Sequence, residues 1–100
     1  MSQVYLSEAA FADLVRLEDF LRQDNDLAAY EMLAFILDAL QVLTHQPAIG
    51  RPVAGGLREL IIKRGRSGYL ARYAYVEDSD AVHVLRVRHQ REAGYNSDEI

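Results

Sequence analysis

Cysteine is missing from all 100 residues, which excludes disulfides and thiolate metal sites and suits a reducing compartment. Proline is nearly missing too. Pro47 and Pro52 both fall in "PAIGRPVAGG", residues 47–56, together with three of the six glycines. No apolar run approaches the roughly 20 residues of a membrane span. The opening "MSQVYLSEAAF" carries neither a basic segment nor a cleavage pattern, so no signal peptide is expected. The expectation is a soluble, cytoplasmic protein with no membrane partner. The three histidines, His45, His83 and His89, lack any recognisable zinc spacing. The glycines of "GRPVAGG" lack the spacing and the terminal Lys-Ser/Thr of a phosphate loop. No Ser-His-Asp arrangement stands out, and neither metal nor cofactor is expected.

What is present fits one folded domain spanning residues 1–100, at 50% hydrophobic and 26% charged residues. The net charge of −4 is unevenly spread. Residues 1–46 hold two arginines against eight carboxylates, and residues 47–95 hold nine Arg/Lys against five carboxylates. An acidic half is thus followed by a basic one. The basic half either meets an acidic partner or is simply solvated.

"QVYLS" reads as a short strand. Ser7 can cap a helix whose apolar residues Phe11, Leu14, Val15, Leu17, Phe20 and Leu21 recur at helical spacing. After "QDND", Asn25 or Asp26 can cap a second helix from about Leu27 to Thr44. Its stripe of Tyr30, Leu33, Phe35, Ile36, Leu37, Leu40 and Leu43 is wide enough to be buried on more than one side. The short link implies an antiparallel helical hairpin. "PAIGRPVAGG" reads as a loop, and three strand-like runs follow: "LRELIIKR", "GYLARYAYV" and "AVHVLRVRH". They predict an antiparallel meander. The class is therefore α+β in the order β-α-α-β-β-β, with the N-terminal helical hairpin packed on one face of a small antiparallel sheet and the other face at least partly open. The terminal "NSDEI" is expected to fray.

Most cations lie on the meander. Arg86 and Arg88 are two apart and share a face, which Arg72 joins if its register allows. Guanidinium groups fork onto carboxylate or phosphate, so an acidic-partner site is one reading and internal pairing with the acidic helices is the other. "RVRHQREAGY", residues 86–95, also offers acid/base chemistry. Metal-free RNA cleavage needs a base, an acid and a cation between them, and His89 and Tyr95 could fill the first two roles beside Arg91, or His89 could serve as a structural donor. His45 is expected to cap or solvate a helix end, and His83 to be packed. Tyr69, Tyr73 and Tyr75 line one face, as a stacking platform for bases or as core.

The order "HQPAIGRPVAGGLRELII", "SGYLARYAYV", "HVLRVRHQRE" resembles the RelE/ParE superfamily of bacterial type II toxins over nearly the whole chain. The specific pieces are Pro47 to Pro52, Leu57 to Leu60, Tyr69 with Tyr73, and Arg86 to Arg91. The resemblance implies a toxin neutralised by a cognate antitoxin, of the ribbon-helix-helix type. It implies one of two activities: inhibition of DNA gyrase by protein binding, as in ParE-like members, or metal-free cleavage of messenger RNA on the ribosome, as in RelE-like members. Against the nuclease pattern the chain keeps Lys63 and Arg91, has Ile61 and Leu70 in place of two cations, and brings Tyr95 two residues early. Its acidic balance also suits RNA poorly. The ParE-like reading is preferred, with Arg58, Arg72, Arg86, Arg88 and Arg91 as partner-binding residues. The nuclease alternative would use Lys63, His89, Arg91 and Tyr95, and an inert antitoxin-binding relic is the third possibility.

Overall fold

The computed structural model describes residues 1–92, 94 and 95. Its elements are β1 (Gln3–Leu6), α1 (Glu8–Arg22), α2 (Asp26–Leu40) with a 3-10 extension (Gln41–Thr44), β2 (Arg51–Val53), β3 (Leu57–Arg64), β4 (Ser67–Val76) and β5 (Ala81–His89). The two helices start where their caps place them. Ser7 Oγ accepts the Ala10 N–H at 3.0 Å and donates to the Leu85 carbonyl at 2.9 Å, so one hydroxyl caps α1 and ties it to β5. Asn25 Oδ1 accepts the Ala28 N–H at 3.1 Å and caps α2.

The meander β3-β4-β5 is antiparallel, as its spacing predicts. The sheet is nevertheless five-stranded and mixed, in the order β1-β5-β4-β3-β2. β1 lies parallel to β5, which the long passage through the helical hairpin permits. β2 is a strand inside the expected loop. It is three residues long, and its Pro52 is tolerated because β2 is an edge strand.

The helices cover one face of the sheet. Leu14, Leu17, Met32, Ile36, Leu40 and Leu43 meet Ile62, Tyr69, Ala71, Tyr73, Val82, Val84 and Val87 in one buried cluster. The tyrosine ladder is therefore core, with Tyr75 packed partly against it. Asp26–Thr44, at 19 residues and mean hydropathy 1.5, does reach the length and composition of a membrane span, contrary to the sequence expectation. One side of it is buried in this cluster, while Leu27, Tyr30 and Leu37 are exposed, so its wide stripe is covered on one side only. His83 is not packed in the core. It is exposed and stacks on Tyr5 at 5.4 Å between ring centroids. His45 sits exposed just past the 3-10 extension, at the helix end as expected.

Tyr73 anchors the β2 loop to this core. Fully buried, it donates its hydroxyl to the Pro47 carbonyl at 2.8 Å and accepts the Gly50 N–H at 2.8 Å. Gly50 has no room for a side chain, since a Cβ there would stand 2.7 Å from both Tyr73 Cε1 and Oη. Tyr73→Phe leaves the buried Gly50 N–H unpaired and should cost about 1–3 kcal/mol. A denaturant titration measures it, and an unchanged midpoint would show that the hydroxyl does not hold the loop.

Candidate partner-binding face

A β-bulge decides which face carries the arginines. Strict alternation along β5 would put Arg86 and Arg88 on the same side as Val82 and Val84, in the core. The register slips between Arg72↔Arg86 and Tyr73↔Val84, so Leu85 is an extra residue. Val82, Val84 and Val87 then all reach the core, and Arg86 and Arg88 turn to the face away from the helices. Arg72 joins them through its pairing with Arg86, and Glu59 joins through its pairing with Arg72.

β1 ends at the Leu6↔Val84 pair, which leaves the outer edge of β5 uncovered beyond it. Asp13 of α1 fills that edge. Its carboxylate accepts Arg86 Nε at 2.8 Å, Arg86 Nη2 at 3.0 Å and the Val87 N–H at 2.8 Å. This buried bond to Asp13 is the main cause that raises the Arg86 pKa above its ordinary value. Internal pairing with the acidic helices is thus real for Arg86. The reverse pairing also occurs, with Arg16 of α1 donating to Glu92 Oε2 at 2.7 Å. Arg72 and Arg88 make no ion pair with either helix among the described residues.

Tyr95 lies over the cationic face. Its ring centroid is 4.9 Å from the guanidinium carbon of Arg72, 5.2 Å from that of Arg88 and 5.4 Å from that of Arg86. The hydroxyl donates to Glu59 Oε2 at 2.9 Å, and burial with this bond pushes the phenol up to about 12. Glu59 is itself buried, with Arg51 Nη2 at 2.6 Å and Arg72 Nη2 at 3.6 Å. Burial pushes its pKa up, but the bonds from Arg51 and Tyr95 and the nearby arginine charges outweigh burial and hold it below the ordinary value. A carboxylate depressed in the fold stabilises above its unfolded pKa, and that contribution is lost as pH falls through the folded value. Wild type should therefore lose stability below about pH 4.5, where unfolded glutamates protonate. Glu59→Gln should lose less over the same acid range in chemical melts from pH 7 to 3, and parallel curves for the two proteins would exclude Glu59 as a source.

The residues proposed from sequence divide between the two faces. Arg72, Arg86, Arg88, Tyr95 and the exposed Lys63 share the open face. Arg58 does not. It pairs with the core residue Tyr73 on the helix-side face and donates to the Gly50 carbonyl at 2.8 Å, which makes it a brace for the β2 loop. His89 pairs with Tyr69 and meets its ring edge-on at 5.1 Å, also on the helix side. Arg91 lies past the end of β5, with its N–H donating to His89 Nδ1 at 3.0 Å. His89 and Arg91 line a groove of about 660 Å³ with Leu17, Phe20, Leu21 and Tyr69. The proton-moving pair of a nuclease, His89 and Tyr95, is thus separated by the sheet. Ile61 and Leu70 occupy the open face between Lys63 and the arginines. Among the described residues no group of three or more His, Cys, Asp or Glu side chains is placed to hold a metal. The expected frayed end "NSDEI" lies outside the described residues.

Asp13, Glu59 and Arg51 organise this face without having been singled out from sequence. Asp13 did carry a signal, since it sits three residues after the buried Ala10 and four before the buried Leu17, on the apolar side of α1.

The family described as "ParE toxin of type II toxin-antitoxin system, parDE" matches residues 4–94. Toxin RelE2 of Caulobacter vibrioides is 37% identical over 89 residues, which is 89% of this chain and 96% of that toxin. The chain belongs to the RelE/ParE superfamily of type II toxins. Solved structures share the toxin's fold at low sequence identity. A chain of the chromosomal ParDE toxin-antitoxin system from P. aeruginosa gives a TM-score of 0.73 at 20% identity, over 89% of this toxin and 96% of that chain. A chain of the RelBE2 toxin-antitoxin complex from Mycobacterium tuberculosis gives 0.65 at 22% identity, over 89% and 98%. The toxin thus resembles members carrying either name, and its own side chains must distinguish between the two activities.

Proposed function

We propose that this toxin acts in the cytoplasm as a protein-binding inhibitor of DNA gyrase, and that a cognate antitoxin, of the ribbon-helix-helix type, holds it inactive. The observation that carries the reading is the separation of His89 from Tyr95 by the sheet. General acid–base cleavage needs a donor and an acceptor within hydrogen-bond reach of one scissile phosphate, and two groups on opposite faces do not meet that need. The open face offers instead guanidinium groups held by a buried carboxylate and an aromatic ring, an arrangement suited to an acidic protein surface. The match to the ParE family description supports the same branch. Membership of the superfamily supports a cognate antitoxin, and so do the neighbouring structures, which are those of toxin-antitoxin systems.

The relative named RelE2 favours a second reading, a ribosome-dependent endoribonuclease using Lys63, Arg91, His89 and Tyr95. Induction of the toxin without its antitoxin decides between them, with transcript cleavage and DNA breaks followed together. Double-strand breaks with intact messages are expected. Codon-periodic cleavage of translated messages would overturn the gyrase reading, and so would normal growth with soluble toxin present, the behaviour of an inert relic.

A further inference from the structure

Tyr95 covers the guanidinium groups without satisfying them. The Nε atoms of Arg72 and Arg88 are buried and have no hydrogen-bond partner among the described residues. A ring face attracts a cation through its quadrupole but supplies no lone pair for an N–H. Buried donors left in this condition carry a cost that a ligand with oxygen acceptors would remove. Among the described residues the cover itself is held by one polar bond, from its hydroxyl to Glu59. Its tether is a turn after β5, in which Glu92 accepts the His89 N–H at 2.8 Å through Oε1 and Arg88 Nη1 at 2.7 Å through its carbonyl. Gly94, with φ of +144°, allows the backbone to swing just before Tyr95.

The charge balance indicates what the cover stands in for. Asp13 answers Arg86, and Glu59 is bonded most closely by Arg51. Arg72, 3.6 Å from Glu59, and Arg88 remain as the less completely neutralised pair, converging on a single ring. A carboxylate side chain matches that charge, and it brings two oxygens for the two Nε–H groups. Two guanidinium groups converging on one ring fit a single anionic group, whereas a run of phosphates would also meet the apolar Ile61 and Leu70 on the same face.

We propose that Arg72 and Arg88 form a latent carboxylate site for an acidic segment of a protein partner, and that Tyr95 is its tethered cover, displaced when the segment binds. This deepens the reading of the open face as the partner surface, and rests on it. With the cover closed most of the time, the apparent affinity is reduced by the fraction of open molecules.

The test uses the purified toxin chain and hexaglutamate as the probe, with arginine Nε–Hε resonances followed by NMR. Tyr95→Ala should bind hexaglutamate about tenfold more tightly than wild type, the factor for an open form near a tenth of the population. Tyr95→Phe, which keeps the ring and loses the Glu59 bond, should fall between them. Arg72→Gln or Arg88→Gln in the Tyr95→Ala background should return the affinity to wild type or below, and the Nε–Hε signals of Arg72 and Arg88 should shift on binding. Thermal melts check that every variant is folded. Equal affinity of wild type and Tyr95→Ala would overturn the cover. Tightening that survives loss of both arginines would overturn the site. Hexauridylate binding to the same arginines more tightly than hexaglutamate would overturn the protein partner. With no gyrase, ribosome or antitoxin in the tube, failure here leaves the induction result standing, and failure of induction to break DNA leaves this binding result standing.

Discussion

Asp13→Ala should lower the stability of the toxin by about 3–5 kcal/mol, the range for removing one partner of a buried ion pair. Both residues of the pair are buried, at 3% exposure each, and the carboxylate serves three donors at 2.8, 3.0 and 2.8 Å. Alanine strips Arg86 of two short bonds and leaves the Val87 N–H facing α1 with no acceptor from it. In a chain of this size each kcal/mol moves the melting temperature by about 4–8 °C, so a drop of more than about 10 °C is expected. Asp13→Asn keeps an acceptor for one donor while losing the charge, and should lie between alanine and wild type. Replacing both partners with apolar residues of similar volume, Asp13→Leu with Arg86→Met, should recover part of the loss, because no buried charge is then left behind. A shift below about 1 kcal/mol for Asp13→Ala would place the pair with ordinary surface salt bridges and would overturn its role at the sheet edge.

The same residue shows where reading from sequence stopped. Both helices were legible because Ser7 and Asn25 are caps with a chemical reason to start a helix, and Phe11 to Leu21 repeats at the helical period. The exposure of Tyr30 and Leu37 was not legible, since periodicity reports an apolar face and not whether anything covers it. β2 was hidden by length and by Pro52, which mark a loop in any local reading. The faces of the sheet were harder still. A strand's alternation assigns faces only where no bulge intervenes, and the extra residue at Leu85 is marked by neither glycine nor proline. Spacing alone tells that Arg86 and Arg88 share a face, whereas the face of Arg58 is set by its register with Tyr73, which its charge does not reveal. His89 and Tyr95 look adjacent in "RVRHQREAGY". The chain turns between them, and they finish on opposite sides of the sheet.

Arg72→Gln combined with Arg88→Gln should abolish growth inhibition, while His89→Ala should leave it intact. Truncating one partner of a desolvated charge pair at a protein interface costs about 2–5 kcal/mol. Tenfold in affinity corresponds to about 1.4 kcal/mol, so losing either arginine weakens target binding by roughly 30-fold or more. Loss of both exceeds what ordinary induction can overcome by raising the toxin's concentration. His89 lies across the sheet from these residues, its ring against Tyr69 and its Nδ1 accepting the Arg91 N–H, and nothing in that placement reaches the open face. A nuclease would show the opposite dependence, because acid–base catalysis contributes typically 10²–10⁴-fold and His89 would be one of its few proton carriers. The measurement is plating efficiency after induction, with soluble toxin quantified in each strain and each variant's melt checked against wild type. Arg88→Lys sharpens the result: it keeps the charge but loses the planar fork, so partial inhibition is expected if that fork holds a carboxylate. Survival of cells expressing His89→Ala, with full killing by the double arginine variant, would move the active surface from the open face to the α1 groove.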